Sequence, residues 1–205
     1  MTSVYQRYFL SPERLYLDCW TRYFLRQHLD LTQVKASCNV GIGVGEFDDW
    51  LGHHLTGHAK LTSVDIDHTV VAAFRERQRR HEHPNPSVVV HGDLMQASLG
   101  PFDLVTMVGS TASETHAPAR ALQCAQDWVR PGGWFYTTLM HSISNPRSLM
   151  AELRGELIVE EFTAMEESGF TAVLARQPGV IDDPATPDDT PEPDAKADPT
   201  ESETT

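Results

Sequence analysis

Three glycines at alternate positions, Gly41, Gly43 and Gly45, follow a short apolar run that ends in Asn39-Val40. Glycine permits positive φ and lets the backbone approach a ligand closely, and a helix that follows turns its free N–H groups toward whatever lies at its N-terminus. A glycine-rich turn by itself also recurs in purely structural loops. The residues that follow give it chemical meaning: Leu61-Thr-Ser-Val-Asp65-Ile-Asp67 reads as a second strand ending in carboxylates, 24 residues after Gly41. That is the spacing of a βαβ unit in which an acid at the tip of the second strand accepts hydrogen bonds from the two hydroxyls of a ribose. The implied ligand is a nucleoside derivative. Asp67 immediately precedes the next helix and is placed to cap it, which leaves Asp65 for the ribose.

For those loops to meet, helices and strands must alternate along the chain. Ser11-Pro-Glu opens an amphipathic helix running to Leu31, with proline in the first turn and apolar residues at helical spacing. Strands are expected over 34–40, 61–66, 87–91, 102–108 and 134–140, with helices over 48–58, 69–81 and 118–129 between them. Pro131-Gly132-Gly133 reads as the turn that ends the last of these helices. After a short helix over 147–154, the segments 157–165 and 170–176 flank Glu166–Gly169 and read as a hairpin because Ile158, Val159, Phe162 and Thr163 favour strands. One long helix over 149–168 is the competing reading, which periodicity does not separate.

At 205 residues and 40% hydrophobic content the chain suits one well-buried domain. Its formal charge is −13, but residues 181–205 hold nine acids and one lysine and so account for −8 of it. That Pro-, Asp- and Thr-rich tail has no apolar period to offset its chain entropy and is expected to be disordered, with an acidic docking arm as the alternative. The remaining body lacks the basic surface that nucleic acid requires. Arg75, Arg77, Arg79 and Arg80 fall within one amphipathic helix and read as a solvated face. No apolar run reaches the ~20 residues of a membrane span, and the polar, aromatic Met1–Leu10 has no signal-peptide character, so a cytoplasmic protein without a membrane partner is expected. Cys19, Cys38 and Cys124 are scattered and read as reduced thiols. His54 and His58 have the i, i+4 spacing of a metal pair but lack a third ligand; with His53 and His81-Glu82-His83 they read as surface histidines, so no metal is expected.

Two further segments occur in a telling order: His91-Gly92-Asp93-Leu94 after strand three, and Val129-Arg-Pro-Gly-Gly-Trp-Phe before strand five. With these in place, the chain over about residues 34–177 resembles the class I S-adenosylmethionine (SAM) dependent methyltransferases. That family's first motif reads acid-x-Gly-x-Gly-x-Gly, and here it is Asn39-Val-Gly41-Ile-Gly43-Val-Gly45. The resemblance implies an α/β, Rossmann-like, doubly wound and mostly parallel sheet with a C-terminal antiparallel hairpin, and a ligand crevice at the carboxyl ends of the strands. It divides the chain into an N-terminal helical cap (1–33), a SAM-binding domain (34–180) and the acidic tail (181–205). SAM is the implied cofactor, cradled by Gly41, Gly43 and Gly45. Asp65 with Ile66 would hold the ribose, Asp93 would accept from the adenine amino group with Leu94 against the ring, and Val108 and Gly109 would lie beside the methionine portion. Asn39 departs from the family: facing the methionine ammonium, it would keep a hydrogen bond and lose a charge attraction. Asp93 also has a plain reading as a turn residue.

A dinucleotide dehydrogenase is the nearest rival within the same architecture, but its Gly-x-Gly-x-x-Gly motif would place the third glycine one residue later. The Asn-Pro-Pro-Tyr-like loop of amino-methylating DNA enzymes is absent, since Gly109-Ser-Thr follows strand four. A small molecule is the expected acceptor. Methyl transfer is an in-line displacement in which the protein mainly supplies alignment and excludes water, so no fixed triad is required. For an oxygen acceptor a base near neutral pKa helps, and the candidates are His116, with Glu114 beside it, and then His141. Tyr5 and Tyr8 precede the N-terminal helix, where similar enzymes fold a lid over the cofactor. The expected activity is SAM-dependent methylation of a small organic molecule at oxygen or nitrogen. The alternatives are an intramolecular cyclisation of SAM and a non-catalytic SAM-binding protein. Oligomeric state is open, with a homodimer among the options.

Overall fold

Strands in the middle of a parallel sheet are covered on both faces, and the first strand is built for that position: Ser37, Cys38, Asn39 and Val40 are all buried. The computed structural model describes residues 12–55, 57, 59–142, 144–165 and 168–179. Its strands are β1 (Ala36–Val40), β2 (Lys60–Asp65), β3 (Val88–His91), β4 (Phe102–Met107), β5 (Val129–Met140), β6 (Glu156–Met165) and β7 (Ser168–Arg176). They form one sheet in the order β3-β2-β1-β4-β5-β7-β6. The first five are parallel, while β7 runs antiparallel to β5 and β6 antiparallel to β7. The expected hairpin therefore forms, and the long-helix alternative does not. The β-branched and aromatic residues of 157–163 decide this locally by packing on a pleated surface.

The helices are α1 (Pro12–His28), α2 (Glu46–His54), α3 (His68–Arg80), α4 (Pro118–Asp127) and α5 (Pro146–Met150). Successive strand residues point to opposite faces, and the core follows that alternation. Leu104, Tyr136 and Leu174 face α1 and α2, packing on Phe24, Leu25, Leu51 and Leu55. Val105, Phe135 and Val173 face the other way, onto Ala121, Leu122 and Ala125 of α4 and Leu149 of α5. Helix α3 covers the β2/β3 edge with Val71 and Phe74 against Ile42 and Val89. Helix α1 is tied down by polar contacts as well: the Tyr136 hydroxyl donates to the Thr21 carbonyl at 2.8 Å, and His28 meets Glu160 at 3.1 Å.

Several boundaries differ from the expectation: the N-terminal helix stops at His28 and not Leu31, the short helix expected over 147–154 spans Pro146–Met150, and two more differences have a visible cause. Helix α2 ends at His54, because Leu55 leaves helical geometry at φ −74 and ψ 138. Strand β5 starts at Val129, opposite Phe102; the pairing resumes with Leu104 opposite Trp134, so Pro131-Gly132-Gly133 is an irregularity inside the strand. At the foot of the sheet the Asp103 carboxylate accepts from the N–H groups of Lys35 at 2.7 Å and Ala36 at 2.8 Å and is ion-paired with Arg130. Burial alone would raise the Asp103 pKa, but Arg130 and the two amides together hold it below the usual carboxylate range. Among the described residues no helix is long and apolar enough to cross a membrane. The acidic tail, Tyr5, Tyr8 and His58 lie outside the described residues.

Candidate functional site

The connections leaving β1 and β4 diverge to opposite sides of the sheet, which opens a crevice at the carboxyl ends of these two strands. Its lower lip is the glycine loop, with φ of 85 at Gly41, 54 at Gly43 and 72 at Gly45. A side chain at Gly41 would overlap Thr111 in the loop after β4, and one at Gly45 would overlap Phe74 of α3. At Gly43 no atom lies within 4 Å of where a Cβ would stand, so the loop presents bare backbone to open space at that point. Asp65 sits at the rim. Its Oδ2 accepts from the N–H groups of Ile42 at 2.8 Å and Gly43 at 3.3 Å, and its Oδ1 accepts from the Asp67 N–H at 2.9 Å. A carboxylate offers about four acceptor positions and three are taken, so this half-buried group can hold the loop and still receive a hydroxyl from a ligand. Asp67 caps α3, accepting from the Thr69 N–H at 2.7 Å as its position predicts.

Beneath the loop lies a buried polar row. Ser63, Asn39 and Thr106 stand at matching register on β2, β1 and β4, and Asp48 of α2 descends onto them. The Thr106 hydroxyl donates to Asn39 Oδ1 at 2.8 Å. Asn39 Nδ2 donates to Asp48 Oδ2 at 2.9 Å and to the Gly41 carbonyl at 3.3 Å, and the Ser63 hydroxyl donates to Asp48 Oδ1 at 2.5 Å. All four side chains are fully buried. Burial pushes the Asp48 carboxyl from 3.8 up to about 7, against the pull of the Ser63 and Asn39 donors. Asn39 therefore does not face the crevice, as the motif comparison implied. Its amide is spent on Asp48 and the loop carbonyl.

The first turn of α2 carries Glu46, Asp48 and Asp49. These carboxylates already complement the positive end of the helix and would repel a pyrophosphate placed there. The remaining cofactor candidates line the same rim. Ile66 next to Asp65 is 68% exposed, an apolar plate at the mouth of the crevice. Gly109 has φ 74 and donates its N–H to the Thr138 hydroxyl at 2.6 Å, next to half-buried Val108. Asp93 opens a turn, accepting from the Met95 N–H at 2.8 Å and Gln96 Nε2 at 2.9 Å. Leu94 packs into the core with Val64 and Val105, and at 9% exposure it offers a ring little surface.

Residues 38–137 match a family described as a methyltransferase domain. Over those residues, just under half of its length, the chain is similar to that family. The same fold recurs in the N-methyltransferase NodS from Bradyrhizobium japonicum WM9 in complex with S-adenosyl-L-homocysteine, with a TM-score of 0.67 and 18% identity over 84% of this chain and 91% of that one. The [4+2]-cyclase SpnF superposes with a TM-score of 0.68 at 16% identity, over 79% of this chain and 82% of that one. Magnesium protoporphyrin IX methyltransferase from Synechocystis PCC 6803 with bound SAM superposes with a TM-score of 0.61 at 13% identity, over 86% and 85% of the two chains. Among curated proteins, no sequence matches this one closely enough to count as a relative.

On the opposite lip of the crevice the candidate groups are less constrained. His116 and Glu114 are exposed on the loop between β4 and α4, where Glu114 accepts from the Ser110 hydroxyl at 2.5 Å. His141 is exposed just past β5, its Nε2 2.9 Å from the Thr171 hydroxyl of β7. A groove of about 900 Å³ runs between α1 and the first turn of α2, lined by Leu15, Arg22, Tyr23, Asp49 and Trp50 among others. The arginines of α3 are not one solvated face. Arg79 and Arg80 pair with Glu76 at the surface, but Arg75 donates to the Val89 carbonyl at 2.5 Å, and Arg77 clamps the glycine loop through Asp49 at 2.6 Å and the Val44 carbonyl. Among the described residues no group of three metal-ligating side chains gathers. His54 is satisfied by the Trp50 carbonyl at 2.9 Å, and the rings of His53 and His83 lie 4.3 Å apart. Sequence reasoning missed Asp48, Thr106 and Arg77; the available signal was Asn39 in an acid's position with an unassigned acid nine residues later.

Proposed function

We propose that this chain is a SAM-dependent methyltransferase acting on a small organic molecule. The observation that carries the reading is a glycine loop surrounded by more carboxylates than cations: Asp65 on the loop backbone and three acids in the first turn of α2, against Arg77, whose charge is already paired with Asp49. That arrangement suits an adenosyl ligand with a positive charge and no phosphate. Bound in the crevice, SAM would supply an activated methyl carbon on a sulfonium. Asp65 would hold a ribose hydroxyl, Ile66 would cover one side of the adenine and Asp93 would meet its amino group. Gly41, Gly43 and Gly109 would let the methionine portion approach the backbone.

The protein's contribution to transfer is alignment and the exclusion of water. For an oxygen acceptor, His116, ahead of His141, would assist proton removal only weakly, exposed as both are, with Glu114 beside His116. The groove between α1 and α2 adjoins the glycine loop and is of a size that holds a small molecule rather than a nucleic acid. A second reading is a non-methylating use of the crevice, either cyclisation of SAM itself or binding without transfer; the [4+2]-cyclase that shares this fold illustrates that fold does not fix chemistry. Calorimetry with SAM tests the cofactor, and product analysis separates the reactions. S-adenosylhomocysteine formation supports methyl transfer, methylthioadenosine indicates cyclisation, and failure to bind SAM overturns the reading.

A further inference from the structure

The buried carboxyl under the glycine loop has no evident use in holding the fold. Its hydrogen-bond partners among the described residues, Asn39 and Ser63, are neutral. A carboxylate buried without a cation is costly, and an apolar or amide side chain would serve packing better. The groups facing Asp48 can be named element by element. From β1 come Asn39 and the Cys38 thiol, which burial and Asp48 itself hold protonated. From β2 comes Ser63, and from β4 comes Thr106 through Asn39. On α2 itself lies Asp49, a like charge already paired with Arg77 of α3.

We infer that Asp48 supplies, from beneath the glycine loop, the negative charge that Asn39 does not provide at the end of β1, and that it thereby attracts the cationic cofactor. The inference rests on the SAM reading above and deepens it. Asn39 is the link: its amide joins the carboxylate below to the Gly41 carbonyl in the loop. The position is also suited to an anion, because Asp48 lies in the first turn of α2, at the positive end of the helix. With the carboxyl protonated, Oδ1 donates to the Ser63 hydroxyl, which turns to accept, while Oδ2 still accepts from Asn39; the row keeps its place and loses its charge. Cofactor binding favours the ionised form, and the ionised form favours the cofactor, to the same extent.

The test is calorimetric titration of the full chain with SAM between pH 5.5 and 8.5, in two buffers of different ionisation enthalpy. Affinity is expected to fall about fivefold from pH 8 to pH 6, with about half a proton released on binding near pH 6.5; a drop of about one unit in the Asp48 pKa sets the full span at about tenfold. Asp48→Asn should bind about tenfold more weakly at pH 8 and lose the slope. The exchanged variant Asn39→Asp/Asp48→Asn should regain the affinity. Should the variants fail to fold, carboxyl 13C NMR of the natural chain decides, with the Asp48 midpoint expected to drop about one unit when SAM is added. A flat pH profile, Asp48→Asn binding like the natural chain, or a midpoint that ignores SAM would overturn the inference and leave the cofactor reading standing. Absence of SAM binding at every pH would overturn both.

Discussion

The loops after β1 and after β4 and β5 border the same crevice and are built in opposite ways. The first rests on fully buried polar side chains, Asn39, Asp48, Ser63 and Thr106, is gripped from the rim by Asp65, and is clamped from α3 by Arg77. The second presents Glu114, His116 and His141, all exposed. Buried polar groups are expensive unless fully paired, so a cluster of them marks where geometry has to be fixed. The contrast fits a reaction whose cofactor must be held in one place while its acceptor needs only to be brought alongside.

That contrast can be broken in four ways. The largest effect concerns Asp48. Its folded pKa stands at about 7, above the unfolded value, so the native state keeps this proton longer than the unfolded chain does. Ionisation therefore subtracts stability as pH rises from about 4 to about 7, and Asp48→Asn should gain up to about 4 kcal/mol at pH 8 and close to nothing at pH 4. Urea unfolding at the two pH values checks this, and equal gains would mean that the row stores no electrostatic cost. Next come the glycines. Gly45→Ala should lose about 3 kcal/mol of stability, since it combines positive-φ strain with overlap on Phe74. Gly109→Ala on the opposite lip, where a Cβ meets nothing within 4 Å, should lose only about 1 kcal/mol. Comparable losses at the two sites in thermal or denaturant melts would erase the difference between the lips.

Third, Asp65→Ala should weaken SAM binding by about 1–3 kcal/mol, the usual loss when buried polar partners are stranded. Calorimetry measures it, and unchanged affinity removes Asp65 from the ribose. The smallest effect belongs to the exposed side. Once an acceptor is turned over, His116→Ala and His141→Ala should each lower kcat by less than about tenfold, below the range of a fully engaged general base. A loss of a hundredfold or more at either would move the chemistry onto that lip and reverse the comparison.

The element order was legible because each strand is a short β-branched or apolar run bounded by glycine, proline or an acid. These signals are local, and tertiary packing had no reason to override them. Where a strand boundary moved, the cause was pairing with a neighbour. Strand β5 begins at Val129 because Phe102 lies opposite it, which overrides the turn character of Pro131-Gly132-Gly133. The glycine loop and Asp65 were legible for the same local reason. The polar row was not. Asp48 reads along the sequence as an ordinary first-turn helix acid, and only the register that sets Ser63, Asn39 and Thr106 side by side turns it inward. Arg77 was misread alike, since the periodicity of α3 does not reveal that the glycine loop lies within its reach.

Asp103 gathers the starts of β1 and β4 and, through Arg130, the beginning of β5, into one knot at the end of the sheet opposite the crevice. Strands fastened at one end behave like the ribs of a fan: any spreading is smallest at the rivet and largest at the tips. The register that sets Asn39 beside Ser63 and Thr106 near the tips is therefore anchored from the roots, at the far end of the same strands.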